Sequence, residues 1–549
     1  MTTEYDPKSA YPSDPEKGSV EVATRGDGID LGGEAPLQRQ LKSRHVQMIS
    51  IGGVIGTGLF LGTANGLRHG GPLGLLLGFA AVGSICFSVM VALGEMIAHL
   101  PIPGGHITLA QRFVSPALSF TMGWNYWYNW TIVLPAELNA AAVLIGYWSK
   151  DINPGVWIAV CLVVAVAINF GGTKVYGECE FWFAIIKVIT IVGLIILGII
   201  LDAKKNADGS RIGFRYWNNP GVFVQHLDIA GSKGRFLGFW AVLNQAAFSY
   251  IGTEIVAIAA GEAKNPKKNL PKAIKRVYVR ILLFYILGTF IIGLLVASND
   301  PRLKLGSGTA ASSPFVIAIK NAGIPALPSI INACLLTSAW SAASSDLYTS
   351  SRALYGLALN GNAPKFLRKV NRAGLPWVCV SVGVAFSFLS FMSVGSSGAG
   401  TVFNWFANMT SVCGLMTWGG ICWTYLRFHK SMRLQGVDRS TLAYKAPLQP
   451  YLTWYALIFV CIILFFNGWE VFAGIGSEGF SFDRATFITS YFPIIFGPIL
   501  YVGYSFYSKS WGLVPHLEAD LFSGSRDEEE DDSHKGPKNI VQKFWAWLM

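Results

Sequence analysis

Apolar residues run in long stretches along this chain, separated by short polar segments, from about residue 46 to about residue 508. The stretches fall at roughly 46–67, 72–98, 119–148, 155–171, 178–201, 236–261, 277–297, 326–357, 376–396, 400–427, 451–473 and 485–507. Each is about 17 residues or longer, the length an α-helix needs to cross the hydrocarbon core of a bilayer. The pattern therefore predicts an all-α polytopic membrane domain with twelve transmembrane helices over 46–508. Residues 1–45 are polar and rich in Pro, Gly, Ser and Glu, with no apolar segment near Met1. They are expected to form a disordered tail, not a cleaved signal peptide. Residues 509–549 form a second polar tail, with an acidic run from Asp527 to Asp532.

Composition narrows the class. Of 549 residues, 52% are hydrophobic and only 14% charged, against about 25% charged in ordinary soluble domains. That excludes soluble multidomain, disordered and disulfide-rich secreted proteins. The eight cysteines lie in or beside apolar stretches, none in a CxxC pair, and read as small hydrophobes. The net charge of +11 does not imply a nucleic-acid partner, because cations gather in short loops at 264–276, 365–372 and 427–445. Those loops alternate with poorer ones, which by the positive-inside rule puts both termini in the cytoplasm. Their lysines, Lys264, Lys267 and Lys268 among them, are expected to face anionic membrane lipids.

Two spans carry interruptions. The first contains Gly52-Gly53-Val54-Ile55-Gly56-Thr57-Gly58, and glycine weakens a helix by roughly 1 kcal/mol per residue relative to Ala. Unwound backbone is tolerated at membrane depth only beside a polar cavity. A half-helix starting near Gly56 would aim free N–H groups at an anion such as a carboxylate. The sixth span contains Phe248-Ser249-Tyr250-Ile251-Gly252-Thr253-Glu254, so Ile-Gly-Thr recurs. Broken helices in corresponding positions of two halves point to a transport site at the midplane. Charges within spans point the same way: Glu137 in span 3, Lys187 in span 5, Glu254 in span 6, and Asp346 and Arg352 in span 8. A charge at bilayer centre is costly, so each should face a cavity or a partner. For Asp346 and Arg352 the expectation is a structural ion pair or snorkelling. For Lys187, Glu254 and Glu137 it is proton coupling. No histidine lies mid-span and no nucleophile–base or metal constellation is apparent, so the chain does not read as an enzyme.

Further motifs carry a resemblance. Glu95 in Ala-Leu-Gly-Glu-Met, Gly123-Trp124-Asn125-Tyr126-Trp127, Gly177-Glu178-Cys179-Glu180-Phe181-Trp182, Lys264-Asn265-Pro266-Lys267-Lys268, Ser351-Arg352 with Tyr355, and Tyr444-Lys445-Ala446-Pro447 occur in order. The chain from about 40 to 510 resembles the fungal amino acid permeases of the amino acid–polyamine–organocation superfamily. The resemblance implies two inverted five-helix repeats (about 46–201 and 236–427) with helices 1 and 6 broken, followed by two helices at about 451–507. It also implies uptake of amino acids with protons at the plasma membrane. It assigns the substrate carboxylate to the amides of Ile55, Gly56, Thr57 and Gly58. The ammonium falls to carbonyls of Val54, Phe248, Ser249 and Ile251, with Phe248 as an aromatic gate. Lys187 matches the buried lysine that stands in for a sodium ion.

Free L-amino acids and protons are thus the expected partners, with trafficking and ubiquitination machinery at the tails, no metal, and no cofactor beyond the coupling proton. A neutral or broad substrate range is expected. A basic amino acid or proline permease, and a non-transporting sensor of the same fold, are the alternatives. Two places depart from the family pattern. Gly104-Gly105-His106 stands where Gly-Ser-Phe is usual, and the chain ends Trp547-Leu548-Met549 without an aromatic-plus-Cys ending, so palmitoylation is not expected there.

Overall fold

The computed structural model describes residues 56–102, 104–149, 151–204, 211–255, 279, 281–304, 313–371, 374–395, 398–473 and 482–523. Val54, Ile55, the tail 1–45, the basic loop 264–276 and everything after 523 lie outside the described residues. The described chain is helical, with no β-strand among the described residues. A short π-helical turn, Gly58–Gly62, leads into α1 (Thr63–His99), followed by α2 (Gly105–Phe113), α3 (Pro116–Ile145), α4 (Pro154–Phe170), α5 (Gly172–Ala203) and α6 (Gly231–Tyr250). Then come α7 (Leu287–Leu295), α8 (Pro314–Asn321), α9 (Leu327–Leu359), α10 (Trp377–Ser387), α11 (Gly398–Leu434), α12 (Tyr451–Phe465) and α13 (Arg484–Ser508).

Local chemistry sets several boundaries. Ser115 caps α3 by accepting from Leu118 N at 3.2 Å, with Pro116 at the first helical position, where a missing N–H costs nothing. Asn153 caps α4 in the same way through Gly155 N at 2.8 Å. Within α1 the chain turns at Gly71, whose φ of 73° suits glycine, just before Pro72. A side chain there would meet the Val222 carbonyl at 2.7 Å.

Among the described residues, five helical stretches are long and apolar enough to cross a membrane: Gly58–His99, Lys174–Ala203, Trp377–Val394, Tyr451–Phe472 and Arg484–Ser508. The equally long α3 and α9 pack against each other, as do α1 and α6, and α11 packs against α3. These central helices carry more polar residues, which bond across the bundle. Asn332 Nδ2 donates to the Leu144 carbonyl at 2.8 Å and Asn169 Nδ2 to that of Ser344 at 3.1 Å. Such bonds hold helices together where no hydrophobic force acts between them. The outer α12 and α13 instead expose Tyr451, Phe465, Ile499 and Phe506, as a lipid-facing surface requires.

At one end of the bundle, Arg439 holds Glu95, the last buried acid of α1, through two bonds at 2.9 and 2.7 Å, and Ala446 N adds a third at 2.6 Å. Residues 511–523 lie as a strap on that same end. Val514 N donates to the Val114 carbonyl at 2.9 Å, Gln435 Nε2 to the His516 and Ala519 carbonyls at 2.8 Å each, and His99 Nε2 lies 2.8 Å from the Leu521 carbonyl. Leu521 is fully buried.

Candidate binding site

The two glycine-containing breaks meet. The π-helical turn at Gly58–Gly62 starts from Thr57 without a side-chain cap. Opposite, α6 stops at Tyr250 because Ile251 turns extended and Gly252 takes a φ of 99°. Gly252 N then turns to the Glu254 carboxylate, at 3.1 and 3.3 Å, instead of continuing the helix. Among the described residues, the carbonyls of Phe248 and Ser249 consequently receive no backbone hydrogen bond. Gly58 is the point of closest approach, since a Cβ there would stand 2.8 Å from Ser249 Oγ and 2.9 Å from Ser249 Cα.

A cavity opens beside this junction. One wall is Gly56, Gly58, Phe248, Ser249 and Ile251; the other comes from α3, α9 and α11 and includes Asn129, Glu137, Asp346 and Thr410. The Phe248 ring stands edge-on to Phe403, 5.8 Å between centroids. Glu137 Oε1 accepts from Thr57 Oγ1 at 2.9 Å, tying α3 to the first break. The other oxygen, Glu137 Oε2, has no hydrogen-bond partner, nor do Asp346 Oδ2, Asn129 Oδ1 and Thr410 Oγ1, although all four residues are at least nine-tenths buried. Trp130 Nε1, a donor on the same lining, is a fifth; buried polar atoms are rarely left alone in proteins, so five orphans on one cavity mark a place for a polar guest.

Lys187 is fully buried on α5, with Nζ 3.8 Å from Glu180 Oε1. Glu180 Oε2 in turn accepts from Ser341 Oγ of α9 at 2.6 Å. The ammonium also lies in the field of Glu137 and Asp346, so α3, α5 and α9 contribute to one buried network of three carboxylates and one lysine. Glu254 stands apart from this network. Its carboxylate is held by Gly252 N and by Trp418 Nε1 at 3.3 Å, and it stabilises the break in α6 without lining the cavity. Arg352 lies over the Tyr348 ring, 3.2 Å to its centroid, and donates to the Tyr348 carbonyl. Asp346 lines the cavity and leaves its Oδ2 unpartnered.

Residues 45–515 match the family described as amino acid permease. The chain belongs to the amino acid permease family. It is 41% identical over 536 residues to the proline-specific permease of Emericella nidulans, covering 95% of this chain and 96% of that protein. Against the dicarboxylic amino acid permease of Saccharomyces cerevisiae it is 43% identical over 504 residues, covering 90% and 82% of the two chains. Against the lysine-specific permease of the same yeast it is 41% identical over 515 residues, covering 93% and 82%. This permease is accordingly an amino acid transporter and not an enzyme. Its relatives are named for imino, acidic and basic substrates at nearly equal identity, so overall similarity does not select the side chain; the lining of the cavity must.

Proposed function

We propose that this permease imports free L-amino acids across the plasma membrane in symport with protons. In this reading both termini are cytoplasmic, and twelve transmembrane helices include two inverted repeats of five. The observation that supports it is the meeting of the helix start at Gly58 with the end of α6, with no side-chain cap on one side, carbonyls without a backbone bond among the described residues on the other, and orphan polar atoms around them. A free amino acid is a zwitterion, and this arrangement is its electrostatic complement. The amides of Ile55, Gly56, Thr57 and Gly58 receive the carboxylate at the positive end of a helix dipole. Carbonyls of Val54, Phe248, Ser249 and Ile251 take the ammonium, and the Phe248 ring covers the substrate.

Protons serve as the coupling ions, with Lys187, Glu137 and Glu254 as carriers. Support comes from the buried network: one lysine cannot balance Glu137, Glu180 and Asp346 together in a low-dielectric interior, so its charge state is tied to proton uptake. Protonation changes at Lys187 would loosen or tighten α5 against α3 and α9, which bear the cavity wall. Glu254 acts on the α6 break itself.

The test is uptake of radiolabelled amino acids into permease-deficient fungal cells expressing the chain, normalised to surface protein and run across external pH. Accumulation above equilibrium that rises on acidification and collapses with a protonophore is expected. Equilibration without accumulation would exclude proton symport, and ligand-dependent signalling without uptake would favour the sensor.

A further inference from the structure

Asp346 is 4% exposed on α9, lines the cavity with Glu137, and leaves Oδ2 without a hydrogen bond. Glu137 Oε2 is likewise unpartnered, while its other oxygen is committed to Thr57. No cationic side chain is present among the described residues that line the cavity. Lys187 is engaged by Glu180 and does not reach the lining. Three further groups on the same lining, Asn129 Oδ1, Thr410 Oγ1 and the donor Trp130 Nε1, are buried without partners. These neutral groups mark a ligand position independently of the two acids, and Asn129 Oδ1, like the two carboxylates, is an acceptor. The amides and carbonyls of the broken helices account for both charges of the substrate backbone. The wall of α3 and α9 is therefore left to the side chain.

We propose that Asp346, with Glu137, forms a side-chain subsite that favours cationic amino acids, accepts neutral ones and refuses acidic ones. The proposal rests on the reading of this cavity as the substrate site. A lysine, ornithine or arginine side chain brings the donors that the orphan acceptors need, and charge-assisted bonds of this kind are about twice as strong as neutral ones. An aspartate or glutamate side chain would add a further carboxyl to a wall whose acids already outnumber the one lysine near them, in a site with little water to screen them.

The experiment is competition for uptake of a labelled neutral amino acid by lysine, ornithine, leucine, glutamate and proline, in cells expressing the wild type, Asp346→Asn or Asp346→Glu. In the wild type, lysine and ornithine should compete at least tenfold better than leucine, and glutamate should fail. Asp346→Asn should lower the lysine-to-leucine preference about tenfold, and Asp346→Glu should restore much of it. If wild-type uptake is competed equally well by leucine and lysine, or well by glutamate, the subsite is wrong while the transport reading stands. If Asp346→Asn weakens every competitor alike, Asp346 serves the shared ammonium and the side-chain assignment falls. If no amino acid is taken up or competes in the wild type, the reading of the cavity itself falls. The wild-type panel decides the proposal even where the variants do not reach the surface.

Discussion

Replacing Gly58 by Ala should impair transport far more than the same change at its neighbouring glycines. A methyl at Gly58 would stand 2.8 Å from Ser249 Oγ, 2.9 Å from Ser249 Cα and 3.1 Å from Phe248 Cδ1. The hydroxyl can rotate away, but the Cα belongs to the last turn of α6, so relief requires parting the two broken helices. Overpacking of this kind costs about 1–3 kcal/mol. Charged to the closed, substrate-bound state, that is roughly a 5- to 140-fold loss of apparent affinity. At Gly56 a methyl would lie 3.4 Å from Glu137 Oε1, close to an ordinary contact, and at Gly62 it would meet only the tip of Gln245, at 2.6 Å from Nε2. Initial-rate uptake over a substrate range, normalised to surface protein, should therefore rank Gly58→Ala well below Gly56→Ala and Gly62→Ala. Wild-type affinity in Gly58→Ala, or a larger loss at Gly56 than at Gly58, would refute the argument that the two breaks touch at Gly58.

Other consequences can be checked on purified protein in detergent. Lys187→Met strands Glu180 in the interior, where breaking a buried pair costs about 3–5 kcal/mol; melting should fall steeply and recover in part when Glu180→Gln is added, and equal melting of single and double variants would argue against the pair. Arg439→Ala should lower stability by about 3 kcal/mol by abandoning buried Glu95, and Arg439→Lys should rescue little, because one ammonium cannot replace the two-pronged contact. His106 is fully buried in α2 with both ring nitrogens unpartnered, and burial holds its imidazole down at about 4, against 6.5 when free. The folded state keeps it neutral while the unfolded chain takes up a proton below 6.5. Its destabilising effect is therefore absent above that value and grows as pH falls toward 4, to about 2 kcal/mol at pH 5. His106→Phe should raise the melting temperature and flatten this acid-side decline, and an unchanged pH profile would count against it.

The turn after α6 is marked in the sequence by Gly252, whose φ of 99° suits glycine, whereas residues 52–55 of the first interruption lie outside the described residues. Hydropathy alone misses the end of α6, since the apolar stretch continues past Ile251 and hydropathy does not register a chain that turns while staying apolar. Glu180 reads from composition as the polar mouth of a span beginning near 178, yet α5 starts at Gly172 and carries it two turns inside. The signal that could have found it is the seven-residue spacing to Lys187, which puts both on one helix face. Asp346 and Arg352 are six residues apart, a spacing that points them to different sides of a helix, so their pairing was never favoured by geometry. That Asp346 should meet Glu137 depends on α9 packing against α3, a contact between distant segments that no local pattern encodes.

The strap at 511–523 also bears on how the protein is made. Val114 and Val514 are bonded although about four hundred residues separate them, so α2 emerges from the ribosome long before its covering does. At about 5–20 residues per second, roughly 20–80 s pass during which the seam that will receive Leu521 has nothing to close it. Helices can enter the bilayer in order over that interval, but this end of the bundle is finished last. A nascent chain stopped between the end of α13 and the strap would already contain every residue that lines the cavity, and would still be an open-ended molecule.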